Sequence, residues 1–155
     1  MEYFEISVFP EKNKTNEYIT NRIKEVLKNN IDFSQNIIVE LFQYDDKEFD
    51  DICVSIPNYR FDKDNLEANG LFLTKIVELL FKSFPNIRFA TGVYEITFDY
   101  IEELSKMKDF DKGFFEKFPL VFWNQSNFID NKIGNIIYSD GSIVCTYNNK
   151  VQTIV

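Results

Sequence analysis

The chain has 155 residues, with 17 Lys and Arg against 25 Asp and Glu, and it has no histidine. This length fits a single domain spanning 1–155, and a hydrophobic content of 45% predicts a folded globule. The formal net charge of −8 disfavours nucleic-acid and anionic-membrane partners, because both are bound by basic surfaces. The lack of histidine excludes Ser-His-Asp and Cys-His nucleophiles and His-containing zinc sites.

The first half of the chain predicts strands and helices in turn. Residues 3–9 alternate as in a strand, and 13–30 carry apolar residues at helical spacing. Residues 36–44 form a strand pattern with apolar side chains on both faces, which is typical of a central or doubly covered strand. Residues 52–56 alternate again, and 64–84 have a long helical stripe that Pro85 ends.

The next predicted strand, at residues 87–100, changes its phase. Ile87 and Phe89 are odd-numbered, whereas Ile96 and Phe98 are even-numbered, so we expect a bulge or break near Gly92. The order is then β-α-β-β-α-β over residues 3–98, which resembles the split βαβ, or ferredoxin-like, pattern. The predicted class is therefore α+β, and the resemblance is one of topology.

The remaining residues extend this core. Residues 101–107 predict a short helix and 119–123 a short buried strand, and we expect a three-stranded antiparallel meander over 133–155. Asp140-Gly141 is a strong two-residue turn signal, which would place Tyr138 opposite Ile143.

An acidic run between two predicted strands is the densest charge cluster. It includes the apolar Phe49, which would serve either as an interface anchor or as a core side chain. The calcium-binding loop template fails, because its required oxygen ligands would fall on Lys47 and Phe49. The run is a solvated hairpin loop, a docking site for a basic partner or a looser metal site, and its residues are Asp45, Asp46, Glu48, Phe49, Asp50 and Asp51.

Other carboxylates are weaker candidates. Asp99 and Glu103 stand four residues apart, so they would lie on the same side of a helix and are added to the candidate partner-binding set. Glu40 interrupts an apolar strand, where burial would perturb its pKa. Cys53 and Cys145 form no CxxC pair and lie in apolar stretches, so we expect buried free thiols and no metal site.

The glycines form no phosphate-binding loop, and no nucleophile motif is present, so we predict neither a cofactor nor an enzyme. The start of the chain lacks a basic and a long apolar segment, which favours a cytoplasmic location. Abundant Phe, Ile, Asn, Lys and Tyr, whose codons are AT-rich, indicate an AT-rich genome.

In size, acidity, α+β pattern and lack of motifs, the chain resembles the immunity proteins of bacterial polymorphic toxin systems. The resemblance implies a non-catalytic protein, a monomer or homodimer, that binds and occludes a cognate toxin domain, often a basic one. Three alternatives stay open: a phage-encoded inhibitor or DNA mimic, a small carboxylate-dependent enzyme, and a self-associating structural protein.

Overall fold

The computed structural model describes residues 3–30, 36–57, 59, 64–94, 115–116, 118–125, 128 and 134–148. Within these residues the chain is α+β, with two helices and seven strands. The strands are β1 (Tyr3–Val8), β2 (Ile38–Gln43), β3 (Asp50–Pro57), β4 (Phe89–Tyr94), β5 (Leu120–Asn124), β6 (Asn135–Ser139) and β7 (Ile143–Tyr147). The helices are α1 (Thr15–Asn29) and α2 (Leu66–Ser83).

All seven strands join one antiparallel sheet in the order β2-β3-β1-β4-β5-β7-β6. β1 pairs with β3 on one side and β4 on the other, so the first strand of the chain lies in the middle of the sheet. β5 joins β4 to the C-terminal hairpin of β6 and β7. Residues 120–124 therefore extend one continuous sheet.

One face of the sheet packs against the helices. Because side chains alternate along a strand, Phe4, Ile6 and Val8 point to this face together. The helices contribute apolar stripes, of which Ile23 and Leu73 are fully buried members. This face forms the larger core, and the helical periodicity of the sequence predicted both stripes.

The opposite face carries a second, aromatic core. Trp123 is buried there, with its ring centroid 4.7 Å from that of Phe115, and its indole Nε1 donates to Thr146 Oγ1 at 3.2 Å. Phe118 and Val144 belong to the same cluster. Trp123, Phe115 and Phe118 are therefore core residues, and Phe110 and Phe114 of the same Phe-rich segment lie outside the described residues.

The position predicted for 36–44 is wrong, because β2 is one of the two edge strands of the sheet that the described residues form. Val39 is buried under α1, but Ile38 and Phe42 on the other face are more than one-third exposed. A strand with apolar residues on both faces can therefore still have one face that is not covered. Here the second set remains at the surface.

The bulge expected near Gly92 is absent. Pairing with β1 and with β5 runs through Gly92 without a register shift. β4 needs no change of phase, since Ala90, Thr91 and Val93 are all buried and both faces are covered. A Cβ at position 92 would lie 3.2 Å from both Leu120 Cβ and Phe4 Cζ, so Gly92 permits close packing of its neighbours.

The C-terminal meander also differs from its prediction. β7 lies between β5 and β6, so both of its edges are occupied and a following strand could not pair with it. The hairpin register differs as well: Tyr138 faces Cys145 and not Ile143, with an irregularity between Ile136 and Tyr138. The N–H of Asp140 donates to the carbonyl oxygen of Ile143 at 3.3 Å, so the turn lies at Gly141-Ser142, one residue later than predicted. Asp140 Oδ1 also accepts hydrogen bonds from the backbone N–H groups of residues 142 and 143. The helix expected at 101–107 and the strand expected at 150–155 lie outside the described residues.

Neither described helix is long and apolar enough to cross a membrane.

Candidate functional site

The acidic run lies on the hairpin that joins β2 to β3, at one end of the edge of the sheet. Asp45, Asp46 and Glu48 are exposed on the connection. Asp50 and Asp51, in contrast, begin β3 and are 0% and 2% exposed. The run thus divides into a charged surface at 45–48, here called the acidic tip, and two buried carboxyl groups that a docking partner cannot reach.

The acidic tip is braced by the segment that follows β1. The backbone N–H of Lys12 donates to the carbonyl oxygen of Glu48 at 3.1 Å, and the N–H of Asp50 donates to the carbonyl of Pro10 at 2.9 Å. The ammonium of Lys12 also donates to the carbonyl oxygen of Tyr44. These bonds hold both ends of the connection, so its carboxylates project from a fixed base.

Phe49 packs against the second, aromatic core. Its side chain is half-buried, and its ring centroid lies 5.7 Å from that of Phe9 in an edge-on contact. Of the two roles expected for it, the structure places it in the aromatic cluster as a packing residue. Its aromatic contact helps fasten the acidic tip to the second core.

The two buried aspartates differ in their surroundings. Asp50 Oδ2 accepts a hydrogen bond at 2.8 Å from Asn16 Nδ2, which also donates to the carbonyl of Glu11 at 2.9 Å. This contact ties the start of β3 to the first turn of α1. It is a structural role for a residue that the sequence grouped with the docking charges.

Asp51 points to the opposite face, where a polar row crosses the sheet. Ser7 stands directly opposite Cys53 in β3 and opposite Thr91 in β4, and these three side chains are buried with Asp51. Asp51 Oδ1 and Thr91 Oγ1 have no hydrogen-bond partner. Burying such groups without a partner costs free energy.

Burial raises the pKa of Asp51 to about 7. A hydrogen bond from Ser7 opposes this shift, and repulsion from the Glu5 carboxylate adds to it. Burial also raises the pKa of the Cys53 thiol well above its ordinary value, with further contributions from Asp51 and Glu5. A thiol held in its neutral form is a poor nucleophile. The row therefore offers a carboxyl group that titrates near neutrality, but no activated nucleophile.

Glu40 does not join this row as a second carboxyl group for acid–base chemistry. Glu40 is exposed on the edge strand β2, although it stands opposite Cys53 in register. Asp99 and Glu103 lie outside the described residues. In the part of the chain that the structure describes, no three Cys, Asp or Glu side chains converge as metal ligands.

Sequence reasoning missed Asn16, Ser7 and Thr91. Asn16 lies at the start of a helix, where an Asn side chain is usually expected to point to solvent or to cap the helix. Ser7 and Thr91 each alternate with apolar residues along a strand. This pattern did show a polar residue on a covered face of each strand. Only the pairing of β1 with β3 and β4 brings them together.

Comparisons with models of known protein families, with curated proteins and with solved structures gave no match.

Proposed function

We propose that this chain is a non-catalytic binding protein that captures a basic protein partner on the acidic tip. The observation that carries the proposal is the braced hairpin connection with three exposed carboxylates, Asp45, Asp46 and Glu48, at the sheet edge. In this respect it looks like an immunity protein that binds a cognate bacterial toxin domain. It would act by covering the basic surface with which the toxin domain binds its target. It would do so in the cytoplasm, as a monomer or homodimer and without a cofactor.

Electrostatics supports this function. A chain of net charge −8 attracts a basic partner at long range, which raises the association rate. Carboxylates on a fixed base lose less conformational freedom on binding than those on a mobile loop. The same charge disfavours nucleic acid and anionic membranes as partners.

We infer in addition that β1 to β4 and the two helices form a split βαβ unit, to which β5, β6 and β7 are added. The order β2-β3-β1-β4 and the antiparallel pairing of neighbours support this assignment. Such folds carry many unrelated activities, so the proposed function depends on the acidic tip and not on the fold.

The test is a comparison of two variants that lose the same charge. Asp45→Asn, Asp46→Asn and Glu48→Gln together neutralise the acidic tip. Glu17→Gln, Glu25→Gln and Glu67→Gln, all exposed helix residues, form the matched control. Each triple variant changes the net charge from −8 to −8 + 3 = −5.

The genes that flank this one are searched for a toxin domain, and binding to it is measured by stopped-flow kinetics at low and high salt. The tip variant should associate about 10-fold to 100-fold more slowly at low salt, with a flatter salt dependence, and the control should change much less. Co-expression should also protect cells from the toxin. If no complex forms and no protection is seen, the proposed function is wrong.

A further inference from the structure

The sheet ends in two edge strands, and the two edges differ in how well they are protected against pairing. β6 has an irregularity between Ile136 and Tyr138, and such breaks discourage the addition of another strand. β2 pairs with β3 over all six of its residues without a break. It contains no proline, and within the described residues its outer side forms no backbone hydrogen bonds.

The side chains of β2 that face away from the helices are suited to contact. Ile38 and Phe42 are 39% and 38% exposed, and Glu40 is exposed between them. Because residues i, i+2 and i+4 of a strand share a face, these three form one row, apolar at its ends and negative at its centre. A strand added by a partner would complement this row if, on the same face, it carried a cationic side chain between two apolar ones.

The charges around β2 favour a basic partner over a second copy of this chain. Glu40 lies near the middle of β2, so pairing of two β2 strands about a two-fold axis would bring two copies of this carboxylate close together. It would also join two molecules of net charge −8 each. The acidic tip directly follows β2 and adds further negative charge at the same edge.

We propose that a basic partner adds an extended strand to the outer edge of β2, with apolar side chains on Ile38 and Phe42 and a Lys or Arg on Glu40. This inference rests on the proposed function and deepens it, since it gives the binding mode of the same partner. The acidic tip then steers the encounter, and main-chain hydrogen bonds along β2 hold the complex.

The test follows amide hydrogen exchange by NMR in the full chain, free and saturated with the toxin domain that the binding experiment identifies. No described residue pairs with the amides of β2 that point away from β3, so these amides should exchange quickly in the free protein. Strand addition should slow these alternate amides at least 10-fold, and the amides at the outer edge of β6 should be unchanged and serve as an internal control.

The outcomes separate this inference from the proposed function. A complex that forms with no slowing in β2 overturns strand addition and leaves the proposed function standing. Slowing in β6 instead also overturns it, and absence of any complex overturns both. Slowing in β2 that develops in the protein alone, as its concentration rises, indicates self-pairing and likewise overturns the inference.

A pair of variants tests the side-chain row independently. Ile38→Lys with Phe42→Lys places two positive charges where a basic strand would lie. Ile136→Lys with Leu71→Lys makes the same change at apolar positions that are 55% and 44% exposed elsewhere. The first variant should raise Kd at least 10-fold relative to the second, with both folded by circular dichroism. Equal Kd values for the two would contradict the inference.

Discussion

Asn16 Nδ2 donates a 2.8 Å hydrogen bond to the buried carboxylate of Asp50, and this contact joins the first turn of α1 to the first residue of β3. The same amide nitrogen donates to the carbonyl oxygen of Glu11. One side chain therefore links the helix, the strand and the segment that braces the acidic tip. The other oxygen of Asp50, Oδ1, has no hydrogen-bond partner, which makes the carboxylate dependent on Asn16.

Replacement of Asn16 by Ala should lower the free energy of unfolding by about 2–3 kcal/mol, because it leaves a buried acceptor unsatisfied. Asp50→Ala should also destabilise the fold, and the double variant should lose less than the sum of the two. A coupling energy of about 1–3 kcal/mol is expected from urea unfolding of all four proteins. Asn21→Ala, at an exposed position of α1, is the control and should be neutral or slightly stabilising. Strictly additive losses would show that the two side chains do not interact.

Gly70 is a second close contact, between α2 and the edge strand β6. A Cβ built on Gly70 would lie 2.8 Å from Tyr138 Cβ, which is shorter than side chains allow. Ala is normally favoured over Gly by about 1 kcal/mol within a helix. Here Gly70→Ala should instead destabilise the protein by about 1–3 kcal/mol, since α2 or β6 must shift. Thermal unfolding compared with Glu67→Ala, an exposed residue of the same helix, measures this; a stabilised Gly70→Ala would contradict the packing described.

The sequence pattern predicted the helices and strands better than it predicted which strands pair with one another. The helical stripes and the alternation in β1 and β3 depend on local spacing, which the sequence displays directly. Whether β2 is central or at the edge depends on which strands pair with it. The apolar residues Ile38 and Phe42 suggested a covered strand, but the face on which they lie is left open. The hairpin register failed for a similar reason. The turn lies at Gly141-Ser142 and not at Asp140-Gly141, since Asp140 pairs with Ile143 and its side chain accepts hydrogen bonds from the backbone of the turn.

The candidate site was predicted only in part for a related reason. A run of acidic residues is one feature in the sequence, but β3 begins within it at Asp50. Alternation then sends Asp50 towards the helices and Asp51 towards the opposite face, and both are buried. Charge density alone could not separate the exposed Asp45 and Asp46 from these two.

Both cysteines should be inert in the native protein. Cys53 and Cys145 are buried, and burial raises the pKa of each thiol. At pH 8 a thiol reagent such as 5,5′-dithiobis(2-nitrobenzoic acid) should therefore react with neither within minutes and with both in guanidinium chloride. Cys145→Ser identifies which thiol reacts if one does. Rapid labelling of Cys53 in the folded protein would contradict its placement in the sheet interior.

Asp51 should make stability depend on pH in a direction opposite to that of a salt-bridged aspartate. Its pKa is about 7 in the folded protein against an ordinary 3.8, so the folded state holds a proton that the unfolded state releases between these values. Its contribution is fully favourable below about pH 4 and is lost as pH rises through about 7. Between pH 5 and pH 8 the loss should be about 2–3 kcal/mol, from 1.36 kcal/mol per unit of pKa difference over that window.

Asp51→Asn removes this titration and keeps the size of the side chain. Relative to the wild type, its free energy of unfolding should therefore rise by about 2–3 kcal/mol between pH 5 and pH 8, whatever its absolute stability. Urea unfolding at the two pH values measures the difference, and Asp46→Asn, an exposed residue of the acidic tip, is the control and should show almost no change. A difference between Asp51→Asn and the wild type that is the same at both pH values would mean that Asp51 is ionised in the folded protein. The buried carboxyl would then need a cationic or hydrogen-bonding partner, because burial without one favours the protonated form.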